Sequence, residues 1–242
     1  MLDWLGSIFG GRRSPQGQPS RASADAKTPG AGIGRKIAPG DARHIEAALV
    51  ALEKVGLKFN PDIEDSLRQA AEEIAEEWQG ISFSHEPTPG DWALVALSGE
   101  FQPFKNAIFF SDHCFDGIES ADFSSMVAQI IRLAGDDWPF AYVEVRDAVR
   151  PQGPLQDKHP VTVTIHATPE VPPFNLINAK DFDWSLVLRL NERLPEGVQG
   201  RFSIFLDGNA TIVFLTPEEL QHLNLLCGYE FFYEEASNVP GA

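Results

Sequence analysis

The chain changes character near residue 40, and that break limits which part of it can fold. Residues 10 to 40 hold seven Gly, four Pro and three Ser, with Ile33 and Ile37 as their only large aliphatics. Such a stretch cannot bury enough surface to offset its ordering entropy, so it reads as a flexible linker, semi-extended at its prolines. Charge divides at the same place. Residues 1 to 40 carry six Lys/Arg against two acids, so the first forty residues hold +4 and the rest −20 of the formal −16. An acidic body of this strength repels phosphate backbones, which excludes it as a nucleic-acid binder and points to a basic protein partner.

The 202 residues that follow the linker suffice for one sizeable core. No apolar run approaches the roughly 20 residues that span a bilayer. Two cysteines, Cys114 and Cys227, are too few for a secreted disulfide scaffold, and no secretory h-region opens the chain. A cytoplasmic protein is expected. Its tip gives a reason to place it at the inner face of the membrane. Leu2, Trp4, Leu5, Ile8 and Phe9 share one helical face across residues 1 to 9, and Arg12 and Arg13 follow. Apolar side chains followed by cations suit a weak anchor on anionic lipid, although so short a helix forms only on docking.

The body, residues 41 to 236, reads as α+β: one domain of mixed, largely antiparallel sheet with about five helices, followed by a disordered end at 237 to 242. Helical spacing runs from Ile45 to Val55, and from Pro61, behind the Asn60 cap, to Trp78. Further helices are expected after Asp122, over Phe182 to Leu194, and from Thr216, where Thr216-Pro217-Glu218-Glu219 forms a capping box, to Cys227. Strands are expected at Ile81 to Phe83, Trp92 to Leu97, Ala107 to Phe110, Ala141 to Val145 and Val161 to Thr168. A hairpin joins Arg201 to Leu206 with Ala210 to Leu215, Tyr229 to Tyr233 adds a closing strand, and residues 169 to 180 read as a proline-broken loop.

Three constellations bear on function. Asp112-His113-Cys114 follows an apolar run, and a cysteine nucleophile there would draw on His113 or His166 as base, with Asp183 to orient it. No local signature supports this, and a lone Cys is usually a small buried hydrophobe. The histidines lack an i,i+4 pair or a Cys-x-x-Cys companion, so neither metal nor cofactor is expected. Glu72, Glu73, Glu76 and Glu77 form two i,i+4 like-charge pairs near a helix C-terminus, each unfavourable by about 0.2 to 0.5 kcal/mol. A cationic partner would explain them; a solvated face is the plainer alternative.

The sequence thus favours a non-enzymatic acidic module binding a basic protein through Glu72, Glu73, Glu76 and Glu77. Small acidic immunity or inhibitor proteins are similar in charge and size, a likeness that carries over no residues. The alternatives are a cysteine-dependent hydrolase at Cys114 and a peripheral membrane adaptor tethered by its tail.

Overall fold

The strand Ala210–Leu215 is buried at all six positions, which requires protein on both of its faces. That requirement organises the molecule. The computed structural model describes residues 35–64, 66–111, 120–147, 158–179, 185–206 and 209–232. Within them lie seven helices, α1 (Ala42–Lys54), α2 (Pro61–Glu64), α3 (Leu67–Glu77), α4 (Pro89–Leu97), α5 (Ser120–Arg132), α6 (Ser185–Asn191) and α7 (Pro217–Cys227). The strands are β1 (Ala107–Phe110), β2 (Phe140–Asp147), β3 (Lys158–Ala167), β4 (Phe174–Ala179), β5 (Arg201–Leu206) and β6 (Ala210–Leu215). They form two antiparallel three-stranded sheets, ordered β1-β6-β5 and β2-β3-β4. The class is α+β.

Sheet β1-β6-β5 is the wall between two hydrophobic cores, because side chains alternate across it. Ala107, Val213 and Leu215 face a core built with α1, α3, α4 and α7, where Ile45, Leu49, Leu52, Ile74, Leu94 and Leu223 are buried. Ile108, Phe110, Phe202, Ile204, Ile212 and Phe214 face the other core, filled by α5, α6 and the inner face of β2-β3-β4. On β3, Val161, Val163 and Ile165 point inward while Thr162, Thr164 and His166 are half exposed, as the alternation predicts.

Several boundaries differ from the sequence reading. Trp92–Leu97, expected as a strand, belongs to α4, which opens on a second capping box: Thr88 Oγ1 accepts from the Asp91 amide at 3.3 Å. This helix is buried on every side from Gly90 to Leu97, so its apolar run carries no helical period to read. Among the described residues, Ile81 to Phe83 makes only a bridge, Ser82 to Lys36, and the expected closing strand, described as far as Phe232, only the bridge of Phe232 to Ile204. The expected loop 169 to 180 contains β4, paired along its length with β3. The second expected helix is broken into α2 and α3. Residues 35 to 37, assigned by composition to the linker, engage the body: Ile37 is buried, and Arg35 pairs with the buried carboxylate of Asp41. The tip residues 1 to 13 lie outside the described residues.

Candidate functional site

The acidic helix α3 is seated by Ala70, Ala71, Ile74 and Ala75, all buried, which turns Glu72, Glu73, Glu76 and Glu77 outward. Three of these carboxylates have local partners. Arg68 donates to Glu72 at 3.0 Å, and Gln69 donates to Glu73 at 3.0 Å, both four residues earlier on the helix. Glu77 accepts from the amides of Glu100 at 2.7 Å and Phe101 at 3.3 Å, clasping the turn that follows α4. Its position at a helix C-terminus is therefore offset by two backbone donors, a role invisible in the sequence because those donors are 23 and 24 residues away. Glu72, Glu73 and Glu76 remain as an exposed acidic face.

The proposed hydrolytic group is only partly within view. Asp112, His113, Cys114 and Asp183 lie outside the described residues. His166 stands on the outer face of β3, stacked on Tyr142 at 4.0 Å with the rings 15° apart. Its Nε2 is 3.8 Å from Glu144, beyond hydrogen-bond reach, and is covered without a bonding partner among the described residues. The other cysteine, Cys227, is buried in α7, and burial pushes its thiol from 9.0 up to about 12. That thiol is chemically quiet at neutral pH.

Sequence reasoning missed two arrangements. The first links Ser84 Oγ to His85 Nδ1 at 3.3 Å, and His85 Nε2 to Asp91 Oδ2 at 3.1 Å. Although the order resembles a nucleophile relay, the same Oδ2 accepts from the Thr88 amide and hydroxyl, both at 2.6 Å. Asp91 is thus committed to starting α4, and His85 shields it.

The second is a cleft of about 490 Å³ where the edges of the two cores meet, lined among others by Lys58, Lys105, Asn106, Arg132, Gly135 and Gly200. Lys105 donates its amide to the Lys58 carbonyl at 2.9 Å, beside the antiparallel bridge of Phe59 to Phe104. Since Phe59 and Phe104 stack inward at 5.0 Å, the two lysines flank them on the opposite side and face each other. Like charges so placed disfavour the pairing by some ~0.2 to 1 kcal/mol. Asn106 holds the floor: its Oδ1 accepts from the Lys58 amide at 2.8 Å, and its Nδ2 donates to the carbonyls of Gly56 and Phe214. No single stretch of sequence signals this cleft, because its cations come from segments some fifty and thirty residues apart.

Among the described residues there is no convergent group of three or more His, Cys, Asp or Glu, and no helix long and apolar enough to cross a membrane. Comparison of the chain with protein-family profiles, with curated proteins and with solved structures returned no match.

Proposed function

We propose that this chain is a non-enzymatic binding module that recognises a basic protein partner through the exposed acidic face of α3. The observation that carries the reading is the exposure of Glu72, Glu73 and Glu76 on a helix whose other face is locked into the core. A face presented on a packed helix is pre-organised, so little ordering entropy opposes binding. The −20 of residues 41 to 242 adds long-range attraction for a cation-rich surface, and that attraction governs encounter rate and its salt dependence. An immunity- or inhibitor-like role in a reducing cytoplasm fits this chemistry. The hydrolase and membrane-adaptor readings draw on Cys114 and on residues 1 to 13, outside the described residues, and add no observation of their own.

The test is affinity capture from the native host with the full chain and with a Glu72→Gln/Glu73→Gln/Glu76→Gln variant. A Lys/Arg-rich protein retained by the first and lost by the second supports the reading. Equal retention by both rejects α3 as the contact face.

A further inference from the structure

The cleft bounded by Lys58, Lys105 and Arg132 carries an inference separate from the α3 surface. A chain with a formal charge of −16 gathers three cations around one cavity, and no described residue forms an ion pair with any of them. Two of the three stand opposite one another across a backbone hydrogen bond, with like charges that an anion between them would relieve. Arg132 is steadied from the side, its guanidinium lying 5.9 Å from the centre of the Phe140 ring.

Acidic groups also line the cavity, and each has to be placed. Glu219 is committed to its capping box, accepting from the Thr216 amide at 2.8 Å and hydroxyl at 2.9 Å. Asp136 and Asp137 stand on the turn after α5, exposed, with no ion pair to the three cations. With Glu219 they equal the three cations in number, so the lining is formally neutral and any attraction for an anion rests on where the unpaired Lys58, Lys105 and Arg132 stand. The chain's overall charge opposes anion entry from afar, but that repulsion is screened beyond about 8 Å at physiological salt, so the groups lining the cleft decide inside it.

The wall of the cleft is closely packed at two glycines. A side chain at Gly200 would meet the Phe214 ring at 2.3 Å, and one at Gly56 would meet Glu219 at 2.6 Å. Gly200 thus lets the backbone pack on the Phe214 ring, and Gly56, at φ 105°, sits in a conformation that favours glycine. At about 490 Å³ the cavity falls within the range of small-molecule sites and exceeds what a bare ion needs.

We propose that this cleft binds a compact multivalent anion, such as the phosphoryl or polycarboxylate group of a small molecule, between Lys58, Lys105 and Arg132. Lysines act there as point charges and Arg132 as a planar donor, a combination suited to either oxyanion. The experiment titrates the ¹⁵N-labelled full chain with inorganic pyrophosphate and, separately, with citrate at constant ionic strength. Saturable shifts confined to the amides of Gly56, Lys58, Lys105, Gly135 and Gly200 are expected with at least one probe, and which probe gives them distinguishes phosphoryl from carboxylate chemistry. Lys58→Gln/Lys105→Gln should weaken that binding at least about tenfold, Lys58→Arg/Lys105→Arg should retain it, and Arg43→Gln, an exposed cation outside the cleft, should leave it unchanged. Absence of shifts with both probes overturns the proposal. So does equal weakening by Arg43→Gln, which would mark a diffuse charge effect.

Discussion

Single buried groups give the most direct handles on this fold. Asn106 is 4 % exposed and joins three separate backbone segments, so Asn106→Ala leaves the Lys58 amide and two carbonyls without their partner. A loss of about 3 kcal/mol in denaturant unfolding is expected, with Lys58 and Gly56 exchanging amide hydrogens faster. Cys227 makes a different prediction. Its unfolded thiol ionises from about pH 9 while the folded one keeps its proton to about 12, so the stability it contributes is intact below pH 9 and declines as pH rises. The decline approaches about 1.4 kcal/mol per unit above pH 10, and the difference between wild type and Cys227→Ala should shrink by about 1 kcal/mol between pH 9 and 10. In a Cys114→Ser background, a thiol reagent at pH 8 should modify the chain only on unfolding. Rapid modification of the folded chain would contradict the burial.

At the scale of elements, the sequence was readable wherever punctuation and period agreed. Thr216-Pro217-Glu218-Glu219 sets α7 as its spacing predicts, and Gly228 ends it in the left-handed region at φ 71°. The alternation of Val161, Val163 and Ile165 likewise marks β3. Reading failed at α4 because burial on every side erases the helical period, leaving Thr88-Pro89-Gly90-Asp91 as the only signal of a helix. It failed at β4 because Pro172 and Pro173, which sit just before the strand, resemble loop residues although an edge strand tolerates them. The acidic cluster was legible as charge, but the clasp of Glu77 on Glu100 and Phe101 is tertiary and was not. Glu77→Gln should therefore destabilise the chain, by about 1 kcal/mol, rather than relieve repulsion. Glu76→Gln, with no hydrogen-bond or ion-pair partner among the described residues, should be neutral or slightly stabilising in the same thermal melts.

For the whole molecule, the packed part of the chain begins earlier than composition implies, because residues 35 to 37 bond to residues 80 to 83. Ile37 is buried in the helical core and Arg35 pairs with Asp41, so a chain starting at residue 35 should melt above one starting at residue 39. A burial the size of Ile37 is worth about 1.5 to 3 kcal/mol, which sets the expected gap. Equal melting temperatures would show that these four residues add nothing. The hairpin of β5 and β6 was legible from its turn, whereas its place as a wall between two cores and the cleft at its end were not, since those depend on how distant segments meet. Function at this scale rests on charge: an acidic body and an exposed α3 face acting on a basic partner. The most direct test is the association rate of the recovered partner at about 50 and about 300 mM salt, for wild type and for Glu72→Gln/Glu73→Gln/Glu76→Gln. Wild-type association should slow about tenfold or more as salt rises while dissociation changes little, and the variant should associate slowly at both. A variant that matches the wild-type rate at low salt would contradict recognition through α3.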